Sequence, residues 1–177
     1  CMNDALPRRV GQKLHFARIH LRELEKMAGL SATDLLSRRV AYSESFAFHL
    51  TGAVRCHLLE VAGFYKIDPL PAPDLESMLS LLAERCGASP EISELRILAS
   101  RGDSWLKRLA VFYHACSEGI GVNSEPARNG LESHMTLLDL QELAEQRAVL
   151  PTVAECASWL SAAMELIERQ RQGMAQW

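Results

Sequence analysis

The chain has 177 residues, 48% of them apolar, which is enough to bury one continuous core within a single domain. A net charge of -3 and a pI near 6.1 exclude a wholesale attraction to nucleic acid or to an anionic membrane. The charge is uneven, because residues 1–66 carry ten Arg and Lys against six Asp and Glu, whereas residues 67–177 carry nine against sixteen.

Cysteine usage predicts a reducing, cytoplasmic compartment. The cysteines are odd in number and include no C-x-x-C pair for zinc or redox chemistry: Cys1, Cys56, Cys86, Cys116 and Cys156. No apolar run approaches the ~18 residues of a membrane span, so we expect no membrane association. Because Met2 follows Cys1 and looks like a natural first residue, residues 1–6 are expected to be a disordered start or a cloning remnant. A lipidated Cys1 is the alternative.

The first predicted helix runs from Pro7 to Ala28, before Gly29. Its apolar residues alternate spacings of four and three, which places them on one stripe: Val10, Leu14, Ala17, Leu21, Leu24 and Ala28.

A second helix is predicted from the cap Ser31–Asp34 to Tyr65, broken or bent on the way. Its segment 46–64 has apolar residues at nearly all angles, which is typical of a central helix: Phe46, Phe48, Leu50, Val54, Leu58 and Val61.

Three prolines, Pro69, Pro71 and Pro73, predict an extended connection after the second helix. A helix from Asp74 to Gly87 should bury Leu75, Met78, Leu79 and Leu82. The cap and first-turn pair Ser89–Pro90 starts a helix that buries Ile92, Leu95 and Leu98 and ends near Gly102. A further helix from Asp103 or Ser104 to Glu118 should bury Trp105, Leu109, Phe112 and Cys116.

Residues 119–130 are rich in Gly, Asn, Ser and Pro and predict a flexible loop. A helix is expected over 136–146, and the capping box from Thr152 to Glu155 starts the last one. Its predicted buried stripe is Val153, Ala157, Leu160, Met164 and Ile167. The sequence therefore predicts an all-α protein: a single-domain antiparallel bundle of five or six helices over residues 1–177, with a long central second helix.

A basic stripe on the first helix is the first candidate site. Its members fall within about a quarter of the helical wheel, beside the apolar seam: Arg8, His15, Arg18, Arg22 and Lys26. Such a face could bind anions or nucleic acid, with affinity falling as salt is added. The alternative, which we favour, is a solvated face whose Arg stems cover apolar surface.

Pairs of His and Glu at helical-neighbour spacing raise the possibility of a metal site: His20 with Glu23, His57 with Glu60, and His114 with Glu118. Di-iron bundles, however, use Glu-x-x-His in that order, and the chain contains no such motif. His20 and Glu23 are also expected on the outer side of the first helix. We therefore predict no metal and no cofactor.

The segment from Arg108 to His114 places an Arg and a His six residues apart on one helix. This spacing resembles the Arg-x(4–6)-His signature of HEPN nucleases, small all-α proteins in which two such helices meet across a dimer. The resemblance implies that His114 and Arg108 act on a 2′-hydroxyl and a phosphate of RNA. Leu109 stands where the family has a polar residue. The alternative is that His114 packs against a neighbouring helix while Arg108 lies at its exposed edge.

The second helix carries a polar set within its apolar surface: Glu44, His49, Arg55, His57 and Glu60. Burying such groups costs free energy unless they are paired. Ion pairs to other helices are one interpretation, and a ligand site between helices is the other. The chain has no Gly-rich phosphate loop, no Gly-x-Ser-x-Gly and no His-Glu-x-x-His.

Three stretches of local sequence resemble an uncharacterised family of small all-helical bacterial proteins. They are Gln12-Lys13-Leu14-His15-Phe16-Ala17, Glu44-Ser45-Phe46-Ala47-Phe48-His49-Leu50-Thr51-Gly52-Ala53, and Leu166-Ile167-Glu168-Arg169-Gln170-Arg171 with Trp177. The resemblance implies a helical fold and a bacterial cytoplasmic setting. We predict a non-enzymatic bundle that acts in protein interaction or regulation, with an unknown protein partner or as a homodimer. The alternative function is a ribonuclease or nucleic-acid-binding bundle that uses the basic first helix and the pair Arg108 and His114.

Overall fold

The computed structural model describes residues 5–27, 33–68, 72, 74–87, 89–118 and 150–176. Within these ranges the chain forms six helices and no strand, which confirms the predicted all-α fold. In chain order the described helices are α1 (Ala5–Lys26), α2 (Thr33–Phe64), α3 (Leu75–Cys86), α4 (Pro90–Ser100), α5 (Trp105–Glu118) and α6 (Val153–Met174). None of them is long and apolar enough to span a membrane.

Helix α1 begins at Ala5, two residues before the predicted Pro7, so Ala5 and Leu6 of the expected disordered start are helical. Its predicted seam is correct at four positions, because Val10, Ala17, Leu21 and Leu24 are buried. Lys13, which is not part of the predicted seam, is also buried on this helix.

Helix α2 is one uninterrupted helix of 32 residues, so the expected break is absent from Thr33–Phe64. It contacts each of the other five described helices, which confirms its central position. One part of its surface is nevertheless open to solvent, because the side chain of Phe48 is 51% exposed. The helices α1 and α2 run antiparallel, because Lys13 lies against Gly52 while His20 lies against Tyr42.

Local caps start three helices where the sequence predicts them. Asp74 accepts hydrogen bonds from the backbone N–H and the hydroxyl of Ser77, and the Ser89 hydroxyl accepts from the N–H of Ile92 at 3.2 Å. At α6 the capping box is complete, because Thr152 and Glu155 satisfy each other's backbone N–H. Gly87 follows α3 with φ at +62°, a conformation that residues with a Cβ rarely adopt.

The buried side chains form two adjacent clusters. In the first core, the second half of α2 packs with α3, α4 and the second half of α6, through residues such as Leu58, Leu79 and Leu95. In the second core, α1 and the first half of α2 pack with α5 and the first half of α6, through Phe46, Leu109 and Trp159. The buried face of α6 differs from the predicted stripe, because it includes Cys156, Trp159, Ala163, Leu166 and Gln170, whereas Val153, Ala157 and Met164 are only partly buried.

Two predicted elements, the loop at 119–130 and the helix at 136–146, lie outside the described residues, as do residues 1–4. The prediction of a single domain stays a prediction.

Candidate functional site

The basic stripe of α1 lies on an exposed face of the helix. All five of its residues are exposed: Arg8, His15, Arg18, Arg22 and Lys26. Two of them have partners, since Lys26 pairs with Glu23 at 2.6 Å and Arg18 lies 3.1 Å from the sulfur of Met164. Its use as an anion or nucleic-acid site stays a prediction.

Arg108 and His114 face different surroundings on α5. The Arg108 guanidinium pairs with Glu155 of α6 and lies 5.9 Å from the ring centroid of Trp159. His114 instead lines a groove bounded by α3. Arg108 lines a cavity beside Glu155 and Trp159, whereas His114 lines this groove.

The polar set of α2 divides among several places, and two of its members lie in a polar network between helices. His57, fully buried, lies 3.0 Å from Glu60 through Nδ1 and 2.9 Å from Gln170 of α6 through Nε2. Glu60 also accepts two hydrogen bonds from Arg171, at 2.6 and 3.0 Å. Burial acts to raise the pKa of Glu60, but hydrogen bonds from His57 and Arg171 outweigh it and leave the pKa lowered.

The same network continues to α4. The amide of Gln170 donates to the backbone oxygen of Glu91 at 3.2 Å and to the carboxylate of Glu94 at 2.9 Å. Arg169 forms a bidentate pair with Glu94, at 2.6 and 3.0 Å, and lowers the pKa of that carboxyl. These contacts tie α2, α4 and α6 together, so we assign the network to the stability of the fold.

The remaining members of the set lie apart from that network. Arg55 donates to the backbone oxygen of Ala72 at 2.9 Å and so ties α2 to the connection before α3. Glu44 is exposed and shares a cavity with His49. His49 belongs to a different cluster, between α1 and α2.

We call this group the Lys13 cluster, defined by Lys13, Phe16 and His20 of α1 with Tyr42, Phe48 and His49 of α2. The rings of His20 and His49 stack, with centroids 5.3 Å apart and planes 6° from parallel. The Lys13 amine lies 3.5 Å from Nδ1 of His49 and 4.3 Å from the ring centroid of Phe48. Phe16 contacts His49 edge-on at 5.1 Å, and Tyr42 lies 5.8 Å from His20.

The expected outer position of His20 is therefore wrong. The His20 side chain is only partly exposed, and its buried Nδ1 has no hydrogen-bond partner among the described residues. The physical reason is that α2 packs close to α1 beside the apolar seam, so that the neighbouring stripe of α1 is also covered.

Burial is the main cause of lowered pKa values at Lys13, His20 and His49 of the Lys13 cluster. Burial lowers the pKa of Lys13, and Arg9 lowers it further. Burial also lowers the pKa of His20 and that of His49. At His49 the positive charges of Lys13, His20 and Arg9 lower the pKa further. The cluster thus favours neutral imidazoles and holds a buried amine whose charge is costly.

A cavity of about 290 Å³ adjoins the Lys13 cluster. Both side chains that contact the Lys13 amine, His49 and Phe48, line this cavity. Its other lining residues are Glu44, Ser45, Tyr113 and Cys116. The sequence pointed to Glu44 and His49 of this cavity as part of a possible site between helices, but not to Lys13. Two signals for Lys13 were available, because Lys13, Phe16 and His20 share one helical face and Gly52 of α2 allows a close approach of α1.

A second concave region, the α3–α5 groove, has about 890 Å³ at its wider end. We define it by the residues Leu75, Glu76, Ser80, Leu81, Lys107, Ala110, Val111 and His114. It continues past Glu76, Ser80 and Lys107 into a space of about 630 Å³ beside Ile97 of α4. The buried hydroxyl of Thr51, also at the wider end, has no hydrogen-bond partner among the described residues.

Neither a metal centre nor a reactive thiol emerges from the described part of the chain. No three His, Cys, Asp or Glu side chains lie there close enough to hold a metal ion. The four described cysteines, Cys56, Cys86, Cys116 and Cys156, are free thiols. Burial raises the pKa of Cys116 to about 11 and that of Cys156 to about 12, so both remain protonated at neutral pH.

The fold and these clusters define an all-α bundle protein with a polar network, an amine–imidazole cluster and an open groove. Over residues 2–177 the chain matches the family of unknown function DUF6586, and it belongs to that family. This confirms the prediction of an uncharacterised family from the local sequence. Searches of curated proteins and of solved structures found no match to the chain.

Proposed function

We propose that the protein is a non-enzymatic interaction module of a bacterial cytoplasm, which pairs with a second copy of itself through the α3–α5 groove. The observation that carries the proposal is an exposed apolar surface in a concave setting. Val111 within the groove and Ile97 at its extension are each 58% exposed, and they are the most exposed large apolar side chains of the described residues. Apolar side chains in such a setting are typical of protein interfaces.

Charge on the two edges of the groove favours a second copy as the occupant. The α3 edge carries the acidic residues Asp74 and Glu76, whereas the α5 edge carries the basic residue Lys107. A two-fold axis along the groove would set α3 of each copy opposite α5 of the other. Every acidic edge would then meet a basic edge, so the surface is complementary to itself.

Free thiols support the cytoplasmic part of the proposal. The cysteines at 56, 86, 116 and 156 are unbridged, and cytosolic reductants keep thiols in that state. The non-enzymatic part is supported by the polar groups of α2, since His57 and Glu60 are held in hydrogen bonds to α6.

Sedimentation equilibrium of the full chain tests the proposal. The unmodified protein should be a dimer, and Val111→Glu should convert it to a monomer with unchanged far-UV circular dichroism, because Val111 is exposed in the single chain. The matched control is Ile19→Glu, which adds the same charge at a side chain 42% exposed on α1, away from the groove, and should remain dimeric.

Charge reversal tests the pairing of the edges. Glu76→Lys and Lys107→Glu should each weaken the dimer by about tenfold, because each places like charges opposite one another. The double variant should recover much of the lost affinity. A monomeric unmodified protein would overturn the proposal, as would a dimer that Val111→Glu leaves intact; capture of a different partner by a monomer would assign the groove to that partner instead.

A further inference from the structure

The Lys13 amine holds a buried positive charge without a counterion among the described residues. Lys13 is 8% exposed, and its described contacts are the imidazole of His49 and the ring of Phe48. The ion pairs of the described residues join other cations to their carboxylates and leave Lys13 out. A buried charge in this state is costly, and an anion that neutralises it would bind favourably.

Gly52 allows the amine to reach this position. The aliphatic stem of Lys13 passes over Gly52, where an added Cβ would lie 3.2 Å from Cε and 3.3 Å from Cδ. The stem therefore crosses α2 and ends between His49 and Phe48. Lys13 does not itself line the 290 Å³ cavity. Its amine is separated from the cavity by His49, which is partly buried, and by Phe48, which is exposed.

The cavity restricts the kind of molecule that fits. Phe48 and Tyr113 give it aromatic walls, and His49 with Lys13 behind it gives one positive end. Glu44 also lines the cavity and disfavours a second anionic group. A volume of about 290 Å³ is near the lower limit for ligand sites and suits a molecule the size of one aromatic ring with a substituent.

We propose that the cavity beside His49 and Lys13 binds a small apolar molecule that carries one anionic oxygen group, a carboxylate or a phosphate. The anionic group accepts a hydrogen bond from the Nε2–H of neutral His49, whose Nδ1 accepts from the Lys13 amine, so that Lys13 complements the anionic charge from the other side of the imidazole. The apolar part lies against Phe48 and Tyr113. Binding should therefore hold His49 in the tautomer that carries its proton on Nε2.

Calorimetric titration of the full chain with four probes tests the proposal. Benzoate and phenyl phosphate carry the two anionic groups, benzyl alcohol is the neutral control and benzylamine the cationic control. At constant ionic strength, one or both anions should bind, and the alcohol and the amine should bind at least about tenfold more weakly. Binding of benzoate alone assigns a carboxylate ligand, and binding of phenyl phosphate alone assigns a phosphate.

Two variants locate the binding site. Lys13→Met keeps an unbranched stem over Gly52 without the charge, and it should weaken anion binding by about tenfold or more. Lys26→Met removes an exposed cation from the same helix and should leave binding unchanged. Should Lys13→Met fail to fold, His49→Phe serves the same purpose, because it keeps an aromatic ring but removes the N–H that donates to the anion.

The pKa of His49 can be followed through the NMR resonances of its ring C–H groups. If Lys13 served only to stabilise the fold, replacing it would not alter the effect of a bound anion on this pKa. The bound anion should raise this pKa in the unmodified protein, and it should do so less in Lys13→Met. The proposal is overturned if neither anion binds, if benzyl alcohol binds as tightly as the anions, or if Lys13→Met binds them unchanged.

Discussion

The stacked pair of His20 and His49 makes the stability of the protein depend on pH in a defined direction. Both imidazoles have lowered pKa values, chiefly because of burial. Positive groups of α1, Arg9 and Lys13, lower the pKa of His49 further, whereas Glu23 acts to raise the pKa of His20. A second proton on this pair is therefore more costly in the folded chain than in the unfolded one.

We expect the free energy of unfolding to fall as the pH is lowered from about 7 to about 5. Above the ordinary His pKa of 6.5 both states hold neutral imidazoles, so the full stability is present. As the pH falls below it, the unfolded chain binds protons first, and stability is lost until the folded imidazoles titrate. Urea denaturation at a series of pH values measures this slope.

The double variant His20→Gln with His49→Gln is the control for this prediction, because it removes the two imidazoles and leaves the other titrating groups in place. Its stability should depend less steeply on pH over the same range. An equal slope in both proteins would show that groups other than these two imidazoles cause the pH dependence.

The side chains of α1 differ in how well their burial can be predicted from the sequence. The burial of Val10, Ala17 and Leu24 follows from spacing alone, because one helix face decides it. The burial of Lys13 depends on how closely α2 approaches, and that depends on Gly52, 39 positions along the chain. A pattern within one helix cannot show a contact between residues so far apart in the sequence.

At the scale of elements, α6 is attached to α2 and α4 through two arginines in different surroundings. Arg171 pairs with Glu60, and the two side chains are 32% and 8% exposed, whereas Arg169 and Glu94 are 62% and 33% exposed. An ion pair contributes more where losing one partner leaves a buried charge behind. The two pairs are therefore expected to differ in their contribution to stability.

We expect Arg171→Met to lower the free energy of unfolding by about 2 to 3 kcal/mol, because it leaves the buried Glu60 with one hydrogen-bond donor fewer. Arg169→Met, the matched control on the same helix, should cost less than about 1 kcal/mol. Urea denaturation at neutral pH compares the two. Equal losses, or a larger loss for Arg169→Met, would contradict the larger contribution expected of the more buried pair of Arg171 and Glu60.

The helices were largely predictable because their signals are local. Ser89–Pro90 and the box from Thr152 to Glu155 mark starts that the structure confirms, since a cap needs only the residues of one turn. The rotation of α6 was less predictable, because its apolar residues allow more than one seam. The partners of Gln170 on α2 and α4 decide which seam is buried, and those partners lie far away in sequence.

At the scale of the whole molecule, the two cores share their longest helices. Both α2 and α6 run through the first and the second core, and Leu14 and Trp105 pack against both. If one core lost its packing, the halves of α2 and α6 that belong to that core would no longer be packed against other helices. This continuity predicts that the two cores unfold together.

Native-state hydrogen exchange of Leu58→Ala tests this continuity. The substitution removes a fully buried side chain of the first core and should cost about 3 kcal/mol. If the cores form one cooperative unit, the slowest amides of α1 around Leu21, in the second core, should lose the same protection as those of α4 around Leu95. Phe46→Ala in the second core should give the reciprocal result. Loss of protection in α4 alone would instead divide the chain into two separately stable units, because α1 would then keep its packing against α2 and α6 after the first core had opened.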